Sequence, residues 1–311
     1  MDLVYRILEK HASLEIFMRC GFERLSFVKR VALKTFNNDK NRNYHYEIKE
    51  GQWDNYKSKL KELNIQKGDI LLVHSSIKGL STLGASANEI IDFLLELVGK
   101  GGTLVFPTYP DEDNMRREDG TYYYDSAQEV PWTGKLPRTF LEYPDVKRSL
   151  FPHNTLAAKG MYAEDMMQDN LKAEYSQGKY TAWDFCIRHD MKILYLGVKA
   201  CTSCTIVHYP EDIMEDKYPV NGWFKKDRYC IKTQSGDVWK NVYIRNKNWF
   251  KYYKMFNTGY WLINKGYLEE YDIDGAYIGF MGNVKKMCDE LCERAGERDL
   301  LFGVPKKFLK S

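Results

Sequence analysis

The stretch that decides the fold runs from residue 70 to residue 106: Ile70-Leu71-Leu72-Val73-His74, then Ser75-Ser76-Ile77-Lys78-Gly79, the segment Asn88–Val98, and Thr103-Leu104-Val105-Phe106. The first run is apolar almost throughout, as expected of a strand covered on both faces. It breaks into a polar loop. Between residues 88 and 98, Ile90, Ile91, Leu94, Leu95 and Val98 fall on one helical face, and Ser86 stands where a helix cap is expected. Gly101-Gly102 then turns the chain into a second buried strand. Strand, loop, helix and strand in this order predict a βαβ unit, whose crossover implies a parallel pair.

Working outward, Trp53–Leu63 has a helical pattern and Ile193-Leu194-Tyr195-Leu196-Gly197-Val198 reads as a third buried strand. Residues 109–135, with Tyr122-Tyr123-Tyr124 and Trp132, are too long for a simple connector and read as an active-site loop. Beyond residue 225, Tyr229–Thr233 and Val238–Ile244 flank Gln234-Ser235-Gly236-Asp237 as a hairpin. A helix over 249–263, strands over 267–271 and 276–280, and a closing helix over 284–294 follow. One α/β core with an antiparallel C-terminal lobe is the expected result. Residues 1–45 read as a helical N-terminal extension ahead of a body at 46–311. Leu3, Ile7, Leu8, Leu14, Phe17, Phe27, Val28 and Val31 are helically spaced, Gly21 separates two helices, and Asn37–Asn43 is a linker. The extension suits packing against the body or against a second copy in a homo-oligomer.

The 46 basic residues against 43 acidic ones leave a net charge of only +3, which argues against a dedicated nucleic-acid binder. That slight positive balance suits an anionic ligand better than a polycationic one. No run approaches ~20 apolar residues, so no membrane span is expected. The opening Met1-Asp2-Leu3-Val4-Tyr5-Arg6 lacks a secretory pattern. Seven cysteines scattered through 311 residues do not form a disulfide framework, and a cytoplasmic protein with reduced thiols is expected.

Two loops after buried strands carry groups able to do chemistry, and open α/β sheets place ligands at such strand ends. In the first, Ser75, Ser76 and Lys78 offer hydroxyls and a cation for a phosphate or a thioester oxygen; the same residues also read as an ordinary polar turn. In the second, His208 and Glu211 stand three apart. On a helix they touch, and a carboxylate beside imidazole fixes its tautomer and supports the cation formed when it takes a proton. That is the device for deprotonating an attacking amine; a surface His–Glu pair is the plainer reading. Cys204 lies four before His208, which admits a thiolate–imidazole nucleophile. Cys201, Cys204, Cys288 and Cys292 have poor spacing for zinc, and no metal is expected.

Together, Leu72-Val73-His74-Ser75-Ser76-Ile77, Gly102-Thr103-Leu104-Val105-Phe106-Pro107-Thr108, Arg148-Ser149 and Thr205…His208…Glu211 resemble, in order and spacing, the aminoglycoside 3-N-acetyltransferase family. Ile278-Gly279-Phe280-Met281-Gly282-Asn283 is similar to that family's closing strand-to-helix motif. The resemblance implies a three-layer α/β/α sandwich with a mixed sheet and acyl-coenzyme A as donor. It implies His208 as general base supported by Glu211; Ser76, Thr205 and the loop amides are the alternative donors to the oxyanion of the reacting carbonyl. It also places Ser75, Ser76 and Lys78 along the coenzyme, with Arg148 and Ser149 bordering it. The chain departs from the pattern at Phe151, where histidine is usual, at Cys204, where asparagine is usual, and in its first 50 residues. These departures bear on the acceptor. The favoured expectation is an N-acyltransferase acting on a nucleotide-linked amino sugar for surface polysaccharide. Aminoglycoside acetylation is the alternative, and a non-catalytic nucleotide- or sugar-binding relative a further one.

Overall fold

In the computed structural model, residues 7–24 and 50–310 are described. The apolar runs become strands: β1 is Ile70–Ser75 and β2 Thr103–Pro107, with a short β3 at Tyr122–Tyr124. Then come β4 (Lys147–Arg148), β5 (Leu156–Gly160), β6 (Lys192–Leu196), β7 (Phe224–Thr233), β8 (Gly236–Arg245), β9 (Glu269–Ile273) and β10 (Ala276–Met281). Seven of them form one sheet in the order β4-β5-β2-β1-β6-β10-β9. At its centre β1 runs parallel to β2 and β6, with Ile70 opposite Thr103 and His74 opposite Tyr195. The flanking strands β5 and β10 are antiparallel to their inner neighbours. The mixed sheet matches the expected fold class.

Side chains alternate across a strand, so β1 sends Leu71 and Val73 into one layer and Ile70 and Leu72 into the other. The first layer is closed by helices Gln52–Glu62 and Ala87–Val98 through Tyr56, Leu60, Ile90 and Leu94. The second is closed by Ala182–Arg188 and Val284–Gly296 through Trp183, Met287 and Leu291. Each fully buried Leu or Phe contributes about 1.5–3 kcal/mol. The Ser86–Glu89 capping box that starts Ala87–Val98 contributes about 1 kcal/mol. The layers therefore outweigh the local helix signals in fixing the architecture.

Three expectations change. The closing strands β9 and β10 complete the main sheet rather than building a separate lobe, while β7 and β8 join β3 in a second sheet of three strands. The hairpin turn is tighter than the sequence suggests: Thr233 pairs with Gly236, leaving only Gln234-Ser235 between the strands. The single helix expected over 249–263 divides into a 3₁₀ segment, Lys247–Tyr252, and an α-helix, Met255–Asn264.

In the N-terminal extension, Ala12–Arg24 runs through Gly21 as one helix and the helical break falls at His11. The Phe27–Val31 helix and the Asn37–Asn43 linker lie outside the described residues. This N-terminal helix docks on the C-terminal third of the chain. Glu15, only 2% exposed, accepts the backbone N–H groups of Met255 (2.8 Å) and Phe256 (3.2 Å), and pairs with Arg19. A carboxylate at these first N–H groups caps the helix Met255–Asn264 from outside. Among the described residues, no helix is long and apolar enough to cross a membrane.

Candidate active site

Because β1, β2 and β6 are parallel, their C-terminal ends open on the same edge of the sheet. A cavity of about 200 Å³ lies there, walled by His74, Ser75, Tyr109, Trp132, Thr133 and Thr205 among others. The loops leaving β1 and β6 touch beside it. A Cβ on Gly79 would sit 1.9 Å from the Gly197 carbonyl oxygen, and Gly197 has φ +66°, so neither position accepts a side chain without moving the other loop.

Ser75 and His74 both line this cavity, and the Ser75 Oγ and His74 Nε2 are buried without a hydrogen-bond partner among the described residues. His74 stacks on Tyr195 with ring centroids 5.1 Å apart and planes 5° from parallel, and burial pushes its pKa down to about 3. It is a neutral imidazole. The Ser76 hydroxyl instead accepts the Gly79 N–H and starts the 3₁₀ turn Ile77–Leu83, and the Ser76 N–H donates to Leu196. Lys78 is exposed on that turn. Of the first loop's three expected ligands, Ser75 reaches the cavity wall; His74 does so as well, a residue the sequence offered only as the end of a strand.

The second loop forms a 3₁₀ turn, Thr205–His208, that runs into the α-helix Tyr209–Met214 with Pro210 in its first turn. Residues three apart eclipse on a 3₁₀ turn, so Thr205 on the cavity wall and His208 share a face. The helix then brings Glu211 back, and Glu211 Oε1 lies 2.9 Å from His208 Nδ1. That contact favours the proton on Nδ1 and leaves Nε2 with the ring's free lone pair. The imidazole packs against Tyr253 and Phe302 at 5.1 and 5.8 Å and keeps 13% of its side-chain surface accessible. Burial, then the positive charge of Arg245, hold His208 below the ordinary imidazole range, against the opposing pull of Glu211. Arg245 Nη1 meets Glu211 Oε2 at 2.9 Å. Nothing in the local sequence pattern points to this partner, 34 residues from Glu211.

Cys204 is buried and accepts a hydrogen bond from the Tyr195 hydroxyl at 3.2 Å; burial raises its thiol to about 12. It is a neutral thiol near pH 7, which disfavours the thiolate nucleophile. Among the described residues no three metal-binding side chains converge.

The resemblance put Arg148 and Ser149 beside a coenzyme; the structure gives both internal partners. Four of the five Arg148 N–H donors are engaged, by the Thr108 hydroxyl and carbonyl and by the Ser126 and Glu129 carbonyls. Buried Ser149 accepts the Phe151 N–H at 3.0 Å. Arg148 thus anchors the 109–135 segment, which returns through the Trp132 N–H to the Tyr109 carbonyl at 3.0 Å. Tyr109 and Trp132 also line a second cavity of about 250 Å³. Its wall carries Asp111, Glu112, Asp113, His153 and Lys247. Glu112 bridges His153 Nε2 (3.2 Å) and Lys247 (2.9 Å), and these contacts, with the His153 hydrogen bond largest, lower its carboxyl to about 2. The sequence showed these acids only as loop polarity.

Residues 72–277 match the family model described as aminoglycoside 3-N-acetyltransferase. The chain belongs to that family. Among members of the aminoglycoside 3-N-acetyltransferase family, it is 28% identical over 219 residues to aminoglycoside N(3)-acetyltransferase IV of a Salmonella species, covering 70% of this chain and 77% of that one. It is 26% identical over 164 residues to aminoglycoside N(3)-acetyltransferase III of Serratia marcescens, covering 49% of this chain and 60% of that protein. The fold is similar to that of AAC-IIIb in binary complex with CoASH, with a TM-score of 0.67 at 18% identity over 84% of this chain and all of that one. It is likewise similar to AAC(3)-IVa apoenzyme, with a TM-score of 0.63 at 23% identity over 86% of this chain and 95% of that one.

Proposed function

We propose that this chain transfers an acyl group from acyl-coenzyme A to an amine of a polycationic amino sugar of the aminoglycoside kind. The observation that carries the reading is the junction of two unlike cavities at Tyr109 and Trp132. One is walled by His74 and Ser75, whose Nε2 and Oγ are buried with no partner among the described residues, and it suits the pantetheine arm of the coenzyme. The other presents three consecutive acids, Asp111, Glu112 and Asp113, against Lys247 and His153, which fits a ligand bearing several ammonium groups. Family membership and the names of the relatives above support the same donor and acceptor. The nucleotide-linked amino sugar expected from the departures from the family pattern, and weakly from the overall charge, has less support, because its diphosphate would face those carboxylates. Net charge summed over the chain did not report the charge of this one wall.

In this reading His208 takes the proton of the attacking amine on Nε2, while Glu211 holds Nδ1–H and stabilises the imidazolium. The amine nitrogen bonds to the acyl carbon, and the carbon–sulfur bond breaks. The departing sulfur leaves as thiolate and is protonated by the imidazolium or by solvent. In the same reading the Thr205 hydroxyl, one 3₁₀ turn before His208, donates to the oxyanion that develops. The test is thiol release from acetyl-coenzyme A with aminoglycosides, with nucleotide-linked amino sugars, and with no acceptor. Aminoglycoside-dependent release supports the reading. Release with the nucleotide sugars alone overturns the acceptor, release without any acceptor makes the protein a thioesterase, and no release in any arm sinks the enzyme.

A further inference from the structure

Glu211 uses both of its oxygens. Oε1 holds His208 and Oε2 holds Arg245, each at 2.9 Å, in a carboxylate only 3% exposed. A carboxylate so buried needs a cation beside it, and Arg245 comes from the other sheet, as the last residue of β8. Its guanidinium lies over the rings of Phe250 (4.6 Å) and Phe302 (5.6 Å), while its Nε is buried with no hydrogen-bond partner among the described residues. The side chain therefore leaves one of its own donors unsatisfied in a position whose single ion pair among the described residues is with Glu211. Phe302 touches the His208 ring as well, so cation, carboxylate and imidazole form one packed unit.

We propose that Arg245 is a positioning residue for transfer, holding Glu211 in the place and charge that leave His208 Nε2 as a free base. This rests on His208 being the base of the proposed reaction. Among the described residues, the other titratable groups facing the unit are Asp212 from the same helix, Tyr218 and Tyr253, with Cys204 beyond Tyr253. Burial first, then the charge of Glu211, raise Asp212 to about 8, and it accepts the Gln177 N–H at 2.8 Å. Asp212 is thus mostly neutral at pH 7 and does not replace the charge of Glu211. Without Arg245, an unpaired buried carboxylate lies against the imidazole, and the pair captures a proton at higher pH, on whichever member. Base function then fails at a higher pH.

The experiment measures the pH dependence of kcat/KM for acceptor-dependent thiol release in the wild type, Arg245→Met, Arg245→Gln and Arg245→Lys, alongside the NMR titration of the His208 ring in the free proteins. Loss of the charge should move the acid limb and the ring titration upward by about one pH unit, a tenfold loss at pH values below both limbs. Arg245→Lys should return both toward the wild type. Folding of each variant is checked by circular dichroism, and Arg245→Gln, which keeps a donor for Glu211, stands in where Arg245→Met does not fold. An unmoved ring titration in a folded neutral variant overturns the inference, as does a shift that Arg245→Lys leaves in place. Near wild-type turnover by His208→Ala would instead sink the catalytic reading, and the ring titration would still judge Arg245.

Discussion

Two polar corners at the same end of the sheet behave in opposite ways. At Arg148, four donors are taken up by the Thr108, Ser126 and Glu129 groups of one loop. At Ser75 and His74, which wall a cavity, two buried polar atoms have no partner among the described residues. A buried polar group costs about 1–3 kcal/mol when left unsatisfied. The first corner therefore holds the architecture, and the second tolerates a cost that a ligand can relieve. The Arg-Ser pair and the Ser-Ser loop look equally functional as text; their hydrogen bonds separate them.

The comparison can be broken from the strongest effect down. His208→Ala should lower kcat by about 100- to 10,000-fold in the thiol-release assay. Coenzyme A binding by calorimetry should be nearly unchanged, since His208 is not among the residues that wall the cavity of His74 and Ser75. Arg148→Met should cost about 2–4 kcal/mol of stability in chemical denaturation through its lost charge-assisted bonds. Were stability unchanged and acetyl-coenzyme A affinity lost, Arg148 would be a ligand and the contrast would invert. The double change Asp111→Asn and Asp113→Asn should raise the aminoglycoside KM about tenfold, with little effect on the coenzyme; no change would remove the acidic wall from the acceptor site. Ser75→Ala should weaken coenzyme A by only a few-fold, the scale of one neutral hydrogen bond, and should raise stability slightly by removing an unsatisfied hydroxyl. A stability loss there would place Ser75 with Arg148.

The parts legible in the sequence were those whose signals are local. Continuous apolar runs gave β1, β2 and β6, and the i, i+3 spacing brought His208 to Glu211. The parts that escaped depend on distant partners. Arg245 ends a hairpin strand with no mark of chemistry, and reaches Glu211 only because the second sheet folds against the helix Tyr209–Met214. Tyr122–Tyr124 pairs in parallel with β7 across more than 100 residues, a contact that no periodicity encodes. Ser76 and Arg148 show a further limit: residue type suits a ligand, and the structure gives both nearby backbone partners that the sequence does not reveal.

Glu15 gives the N-terminal helix a stake in a site it never touches. It fixes the amides of Met255 and Phe256, two and three residues beyond Tyr253, which packs on the His208 imidazole. The family match begins only at residue 72, so an enzyme trimmed to that shared portion would keep every reacting group yet lose the brace behind its base. If the proposed reaction holds, turnover should therefore fall when the helix that carries Glu15 is removed.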